Sequence, residues 1–285
     1  MPELPEVQTT LQGLNKLINY QITNIDIYST KLRYNLPLNF SKLLKFNKFL
    51  KIFRIGKYIF INLESKHTLI IHLGMSGRLR IIKENKFIKK KHDHVALRIK
   101  DKILLYNDVR KFGFLKILNT KNIFNNKHVK NIGIDALDKK LNNDYFYQKI
   151  KNSSVPIKQI LLNQKIISGI GNIYASEILF DAKISPFIRG KFIQKHELKK
   201  IISSIRKILQ KAIFYGGSSL KDFSSADGTL GNFQNKFKVY DREGRTIKGN
   251  VIKRTVQYGR STFYCPNIQK ISKKRKIKNI DNLNE

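Results

Sequence analysis

The chain has 285 residues, enough for two or three modest domains that each bury a core. Its 56 lysines and arginines against 20 aspartates and glutamates give a net charge of +36, which favours a polyanionic partner such as nucleic acid, although a coding bias toward Lys, Ile and Asn also inflates that total. A single cysteine, Cys265, excludes an internal disulfide, and we expect neither a signal peptide nor a membrane-spanning segment, because no basic leader and no long apolar run is present.

The first half of the chain predicts a helix followed by many strands. Residues 3–19 are predicted to form a helix with one apolar stripe at Val7, Leu11, Leu14 and Ile18. From about residue 22 to 118, short β-branched and aromatic runs alternate with turn residues. The predicted strands include KYIFINLES, HTLIIHLG, HVALRIK and KILLYND. Many short strands in one region indicate a β-sandwich or barrel.

The second half changes character after residue 138. A helix is predicted from about Lys195 to Tyr215, ended by Gly216-Gly217. Its apolar face is Leu198, Ile201, Ile202, Ile205, Leu209 and Ala212. Residues 216–235, rich in Ser, Gly and Asp, are predicted to form a long mobile loop. The runs FKVYD, NVIKRTVQ and STFYC are predicted strands of a hairpin, and the basic tail from Ile271 is predicted to be disordered alone.

The N-terminus carries a candidate nucleophile. If Met1 is removed, Pro2 becomes the terminal residue with a free secondary amine. An α-amine titrates near pKa ~8 and a lysine near ~10.4, so far more of the α-amine is neutral at pH 7 and able to attack a sugar C1′ or a carbonyl. Glu3 and Glu6 supply neighbouring carboxylates; as first-turn acids they also complement the helix dipole, and both roles can hold.

Eight short motifs occur in order along the chain. They are MPELPEV at 1–7, GKY at 56–58, HLGMSG at 72–77, KHDHV at 91–95, DVRKFG at 108–113, GIGNIYASE at 169–177, GGSSLKDF at 216–223 and GRSTFYC at 259–265. With them, the chain resembles bacterial formamidopyrimidine-DNA glycosylases as far as about Lys270. The resemblance implies a multi-domain α+β fold. Its segments would be an N-terminal catalytic β-sandwich domain with flanking helices (1–135), a helix–two-turn–helix DNA-binding domain with a lesion-capping loop (136–232), a β-hairpin finger (233–270) and the basic tail (271–285).

The resemblance also implies an activity. It is that of a bifunctional base-excision-repair enzyme that removes 8-oxoguanine and formamidopyrimidines through a Schiff base on Pro2 and then cleaves the strand by β,δ-elimination. Glu3 would move protons, Glu6 would support the amine, and Lys57, on a predicted strand, would assist β-elimination or be an ordinary solvated lysine. The implied partner is double-stranded DNA with oxidised bases, and the protein would be a monomer of the bacterial cytoplasm, associated with the nucleoid.

Further residues match DNA-contacting positions of the family. Met75, Arg110 and Phe112 would fill the gap left by a flipped base, although Met75 and Phe112 also suit a core. His92 would contact phosphate, whereas His94 is predicted to be buried and hydrogen-bonded. The same resemblance assigns DNA contacts to Lys158 and Asn172 and an orienting role to Glu177.

The finger departs from the family pattern. Of four cysteine positions that usually hold zinc, only Cys265 remains, and one thiolate does not build a structural zinc site, so no cofactor is expected. The hairpin would instead be held by packing of Val251, Val256, Phe263 and Ile268. Arg260 is retained and would grip phosphate and aid δ-elimination. Ser154 replaces a usually basic residue.

Two rival interpretations stay open at this point. One is the sister family that acts on oxidised pyrimidines; Leu4 and the complete set of Met75, Arg110 and Phe112 argue against it. The other is a non-catalytic remnant that binds damaged DNA, which the missing cysteines and Ser154 favour.

Overall fold

A computed structural model describes residues 2–219, 226, 228 and 230–271. The predicted tail beyond residue 271 and most of the predicted lesion-capping loop at 218–228 therefore lie outside the described residues. By internal contacts the chain divides into two units, one of residues 1–131 with 212–234 and the other of 132–211 with 235–285. The domain boundaries at 135, 232 and 270 stay a prediction.

The first unit contains two four-stranded antiparallel sheets with the strand orders β2-β3-β4-β8 and β1-β6-β7-β5. The strands are β1 (Asn24–Ile27), β2 (Phe49–Ile55), β3 (Tyr58–Leu63), β4 (His67–His72), β5 (Gly77–Lys83), β6 (Asp93–Ile99), β7 (Lys102–Asp108) and β8 (Phe114–Asn119). Both sheets contribute buried side chains to one core, such as Ile61 and Leu69 from the first and Leu97 and Tyr106 from the second. The α+β class and the predicted sandwich are thus confirmed.

Helix α1 (Leu4–Leu14) covers one side of this core with Val7, Leu11 and Leu14, and a short helix α2 (Phe40–Leu44) adds to it. The helix predicted over 3–19 is too long. After α1 the chain makes one 3₁₀ turn at 15–17, and the N–H of Asn19 then bonds to the carbonyl of Phe49 at 2.7 Å. Pairing with β2 ends the helix.

The second unit contains helices and short strand pairs. The helices are α3 (Asn143–Ile150), α4 (Ile157–Leu162), α5 (Asn172–Asp181) and α6 (Lys195–Phe214), although the last residues of α6, from Ala212, group with the first unit. The strands are β9 (Ile134–Asp135), β10 (Ile167–Ser168), β11 (Thr246–Ile247), β12 (Asn250–Val251), β13 (Lys253–Gln257) and β14 (Arg260–Tyr264). The predicted face of α6 is buried throughout.

The end of α6 shows why the predicted glycines are needed. Gly216 and Gly217 have φ of +76° and +79°, a conformation that side chains rarely adopt. Their N–H groups bond back to the carbonyls of Ile213 at 2.9 Å and Ala212 at 2.8 Å. This pair of bonds satisfies the last carbonyls of the helix.

Two predictions about the finger are wrong. FKVYD at 237–241 is not a strand, because the carboxylate of Glu177 accepts three of its backbone N–H groups. Val251 and Val256 are exposed rather than packed, while Phe263 is buried with Val239 and Ile252. Among the described residues, no helix combines the length and the apolar composition needed to cross a bilayer.

Candidate active site and nucleic-acid interface

Three predicted catalytic residues lie at the start of α1. Pro2, Glu3 and Glu6 are all buried. The Oε2 atom of Glu6 accepts the N–H of Glu3 at 2.9 Å, as in a capping box, and its Oε1 atom accepts the N–H of Ser218 at 2.8 Å. A side chain at Gly217 would lie 3.0 Å from the same Oε1. Glu6 therefore joins the helix start to the beginning of the segment that follows α6.

Lys57 lies in the turn between β2 and β3 rather than on a strand, since Gly56, with φ of +58°, reverses the chain before it. It is only 6% exposed, so the solvated-lysine interpretation is wrong. Arg54 holds this turn against α1: its Nε donates to Gln8 Oε1 at 3.0 Å and its Nη1 to the carbonyl of Gly56 at 2.9 Å. Sequence reasoning missed Arg54, because a strand arginine carries no signal of its partners.

His72 lies at the end of β4 between aromatic rings. Its ring is 4.7 Å from that of Tyr58 and 5.5 Å from that of Phe114, measured between centroids. Its Nδ1 accepts the N–H of Gly74 at 3.1 Å. Burial lowers the pKa of His72 to about 4, and the positive charge of Lys57 acts in the same direction. The imidazole is therefore neutral at pH 7 and serves as an acceptor.

This shift has a measurable consequence for stability. The unfolded chain takes up a proton at His72 near pH 6.5, and the folded protein does so only near pH 4, so the free energy of unfolding must fall as pH falls through this window. The loss is about 2 kcal/mol by pH 5. We expect urea titrations to show this extra pH dependence in the wild type and not in His72→Gln. The exposed His196→Gln variant is the control and should retain it; equal slopes in wild type and His72→Gln would contradict the assignment.

Three predicted DNA-facing side chains lie on two touching turns. Met75, in the turn between β4 and β5, is 39% exposed, and Phe112, in the turn between β7 and β8, is 49% exposed, so the core interpretation is wrong for both. The guanidinium of Arg110 lies 5.7 Å from the centroid of the Phe112 ring. A side chain at Gly74 would be 2.4 Å from the backbone N of Gly113, which shows how closely the two turns approach.

A buried carboxylate that sequence reasoning missed lies beneath these turns. Asp108 accepts the hydroxyl of Ser76 on Oδ1 at 2.6 Å. Its Oδ2 accepts the N–H of Gly113 at 2.8 Å and the hydroxyl of Tyr106 at 3.2 Å. Burial, with the charge of Asp108, raises the pKa of Tyr106, which keeps that hydroxyl a donor. Motif DVRKFG contains this aspartate, but nothing in its spacing indicated its partners.

The two histidines of the KHDHV motif differ as predicted. His94 is buried, and its Nε2 is 2.8 Å from the carbonyl oxygen of Asp108, which confirms a satisfied core histidine. His92 is partly exposed, with φ of +72°, and its carbonyl accepts the N–H of Asp108 at 3.1 Å. Its contact with phosphate stays a prediction.

In the second unit, Lys158 and Asn172 converge on one strand of the hairpin. Lys158 is fully buried, and its Nζ donates to the carbonyl of Ser261 and to Oγ1 of Thr262, both at 2.8 Å. Asn172, the first residue of α5, donates from Nδ2 to the same carbonyl at 2.9 Å. Direct DNA contacts by these residues stay a prediction; the observed bonds hold the strand that begins at Arg260.

Arg260 lies at the tip of the hairpin. Tyr258 and Gly259 form its two-residue turn with φ of +50° and +70°, the signs that a type I′ turn requires. Gln257 and Arg260 are the last pair of the β13–β14 ladder. Arg260 is exposed, so its guanidinium is available to a polyanion.

The residues of the finger do not fit a zinc ion. Cys265 is the single cysteine of the chain, and the described residues contain no group of three or more His, Cys, Asp or Glu side chains placed to hold a metal. Hydrogen bonds close this end of the finger instead. Gln269 accepts the N–H of Cys265 on Oε1 at 2.8 Å and donates from Nε2 to the carbonyl of Ile184 at 2.9 Å.

Comparison with known proteins agrees with this geometry. The family model "Formamidopyrimidine-DNA glycosylase N-terminal domain" matches residues 1–115, and "Formamidopyrimidine-DNA glycosylase H2TH domain" matches residues 132–224. A formamidopyrimidine-DNA glycosylase of Zymomonas mobilis is 42% identical over 274 residues, which cover 95% of this chain and 100% of that protein.

Solved structures of a Lactococcus lactis enzyme are also similar. A mutant of Lactococcus lactis FPG bound to Fapy-dG containing DNA matches with 32% identity and a TM-score of 0.88, covering 95% of this chain and 100% of that one. The wild-type Lactococcus lactis FPG with an oxidized pyrimidine containing DNA matches with 32% identity and a TM-score of 0.86, with the same coverage. The chain therefore belongs to the formamidopyrimidine-DNA glycosylase family, whose members are DNA-binding glycosylases of DNA repair.

Proposed function

We propose that this enzyme excises oxidised purines, namely 8-oxoguanine and formamidopyrimidines, and then cleaves the strand at the resulting abasic site. The observation that carries the proposal is the buried group at the start of α1. There Pro2, Glu3 and Glu6 are buried within five residues of one another in the sequence, and Glu6 is bonded to the N–H of Glu3 and to that of Ser218, at the start of the segment that resembles a lesion-capping loop. A nucleophile, an acid and a base-recognition loop are the parts that this reaction needs.

The proposed chemistry begins once Met1 has been removed. The lone pair of the Pro2 nitrogen forms a bond to C1′ as the glycosidic bond breaks, and the base leaves with the electron pair of that bond and with the proton that the amine loses. Glu3 then protonates the ring oxygen, the bond from that oxygen to C1′ breaks, and the nitrogen lone pair forms the iminium. The positive nitrogen acidifies the C2′ proton, so loss of the 3′ phosphate and then of the 5′ phosphate becomes feasible. Lys57, in the adjacent turn, would assist the first elimination. Water finally releases the amine.

Access to the base requires flipping it out of the duplex, which costs a few kcal/mol. We propose that Met75, Arg110 and Phe112 occupy the space that the base leaves. Their exposure and their position on two touching turns support this role. The net charge of +36 supports double-stranded DNA as the partner. We propose that the protein binds this DNA as a monomer in the bacterial cytoplasm, where it is associated with the nucleoid.

Borohydride trapping tests this function. Purified protein is incubated with a duplex that carries 8-oxoguanine opposite cytosine, and borohydride is added to reduce any iminium to a stable amine. We expect a covalent protein–DNA adduct, with peptide mapping that places the DNA on Pro2. An undamaged duplex is the control. The absence of an adduct from protein that lacks Met1 would contradict the proposal.

Oxidised pyrimidines are a second candidate substrate class. One observation favours them: a similar solved structure, that of wild-type Lactococcus lactis FPG, is a complex with an oxidized pyrimidine containing DNA. Single-turnover excision rates from matched duplexes that differ only in the damaged base would rank the two classes. Faster excision of the pyrimidine lesion would replace the first proposal with the second.

We propose further that the finger works without a metal. Three hydrogen bonds support this. Lys158 and Asn172 donate to the carbonyl of Ser261, near the start of β14, and the N–H of Cys265, just after its end, donates to Gln269. The lack of a suitable donor set at Cys265 points the same way. Arg260 would then bind phosphate from a hairpin held by hydrogen bonds and packing.

Arg260→Ala should weaken binding to a lesion-containing duplex about tenfold to a hundredfold and lower the slope of log K against log salt by about one, because one phosphate contact is lost. Lys253→Ala is the matched control: it removes one exposed positive charge from the same hairpin. Fluorescence titrations at several salt concentrations measure both. Prior dialysis against a chelator should leave the wild-type affinity unchanged; equal losses in the two variants would contradict the assignment of Arg260.

A further inference from the structure

We propose that Asp108 is the positioning residue that holds the two wedge turns, residues 73–77 and 108–113, in one arrangement before DNA binds. The inference rests on the proposed function, because these turns carry Met75, Arg110 and Phe112. It adds a residue that touches neither DNA nor the reacting atoms and acts only through its bonds to the turns.

The bonds form a continuous path between the turns. The backbone N–H of Arg110 donates to the hydroxyl of Ser76 at 3.0 Å, and that hydroxyl donates to Oδ1 of Asp108 at 2.6 Å. The second carboxylate oxygen accepts the N–H of Gly113 at 2.8 Å. Thus one side chain engages the turn that bears Met75 and both ends of the turn that bears Arg110 and Phe112.

Asp108 is itself held from three sides. Its side chain is fully buried, and Tyr106 donates a further hydrogen bond to Oδ2 at 3.2 Å. Its backbone N–H bonds to the carbonyl of His92, and its carbonyl oxygen bonds to the ring of His94. These contacts fix the position of the Asp108 carboxylate, and both turns are hydrogen-bonded to it.

Pre-arrangement matters because the wedge side chains are exposed in the free protein. Ordering a flexible turn costs roughly 1–2 kcal/mol per residue in backbone entropy. Because Asp108 orders the turns when the protein folds, this entropy is lost during folding. It is then not lost again on DNA binding, so it does not reduce the binding free energy that drives base flipping. Loss of Asp108 should therefore impair base flipping more than the later chemistry.

Two variants break the path at different points. Asp108→Asn keeps the shape but has one acceptor oxygen, so its amide must face either Ser76 or Gly113. Ser76→Ala removes the link between the turns and leaves Asp108 intact. Asp93→Asn is the matched control: Asp93 is also a buried carboxylate of the same sheet, and it accepts the N–H of Lys90 at 2.7 Å and the side-chain amide of Asn107 at 2.8 Å.

The first measurement needs neither DNA nor activity. The chain contains no tryptophan, so Phe112→Trp introduces a single tryptophan on the wedge turn at 108–113, and that tryptophan is the reporter. We expect Asp108→Asn and Ser76→Ala, each made in that background, to add a fast component to the anisotropy decay of the reporter, and Asp93→Asn not to add one. An unchanged decay in Asp108→Asn, or an equal change in Asp93→Asn, would overturn the proposal.

The second measurement separates positioning from folding. Excision of 8-oxoguanine requires flipping, whereas cleavage at a preformed abasic site has no base to extract. Asp108→Asn should slow the first about tenfold more than the second, equivalent to about 1.4 kcal/mol on the barrier. A purely structural defect would slow both alike and would refute the inference. If wild-type protein excises nothing, the proposed function fails, and the anisotropy result still decides the role of Asp108.

Discussion

Pro2→Gly should lower the single-turnover rate of base excision about a hundredfold, or about 3 kcal/mol on the barrier. Glycine retains a primary α-amine, so a nucleophile remains. The secondary amine of proline, however, gives an iminium that is positive at every pH, whereas the imine from a primary amine must first be protonated to act as an electron sink. Glycine also lacks the ring that prevents rotation about the N–Cα bond and so fixes the direction of the amine beside Glu3. Rapid-quench kinetics with an 8-oxoguanine duplex measures the rate.

Pro5→Gly is the matched control for this variant. Pro5 lies in the first turn of α1, where the same substitution loosens the helix start without altering the terminal amine. It should lower the melting temperature and leave borohydride trapping intact. Protein that retains Met1 has an amide nitrogen at Pro2 and should form no adduct. Normal trapping by a species whose intact mass includes Met1 would refute Pro2 as the nucleophile.

The sequence predicted the regular elements well, because a period of two or of 3.6 is a local property. The four quoted strand runs of the first unit correspond to β3, β4, β6 and β7, and the apolar face assigned to α6 is buried throughout. Family membership was equally readable, since eight motifs in order leave few alternatives. The exposure of Met75 and Phe112 also agrees with the wedge positions predicted for them, whereas the burial of Glu3 and Glu6 was not predicted.

The partners of polar side chains could not be predicted, because they lie far apart in the sequence. Lys158 is 103 residues from Ser261, and Ser76 is 32 residues from Asp108. No period or spacing reports such contacts. The same limit explains the error at FKVYD, where alternating apolar residues suggested a strand. A carboxylate 62 residues away accepts the N–H of Val239, so that N–H is not available to pair with a neighbouring strand.

That carboxylate belongs to Glu177, in the buried helix α5. Its Oε1 accepts the N–H groups of Val239 at 2.9 Å and Tyr240 at 2.8 Å, and its Oε2 accepts that of Lys238 at 2.9 Å. Burial raises the pKa of Glu177, and the three N–H groups act in the opposite direction by stabilising the charged form. Val239 then packs with Ile252 and Phe263 in the core of the finger.

Glu177→Ala should lower the free energy of unfolding of the second unit by about 4 kcal/mol, because three backbone N–H groups lose a charged acceptor in a largely buried place. Glu177→Gln should cost about 1–2 kcal/mol, since its single oxygen can still accept two of the three. Urea titrations measure both. Glu197→Ala is the control: Glu197 accepts the backbone N–H of Gln194 at 2.9 Å at the start of α6, far along the chain from residues 238–240.

The consequence for function follows from what Glu177 holds. The segment at 238–240 leads into the hairpin that carries Arg260, so its release should weaken DNA binding as well as stability. We therefore expect Glu177→Ala to lose lesion-duplex affinity at least as strongly as Arg260→Ala, and Glu197→Ala to lose little. A Glu177→Ala protein that binds DNA normally would show that the finger is oriented by other contacts. Lys158 would then be the next residue to test, because its bonds to Ser261 and Thr262 hold strand β14, which begins at Arg260.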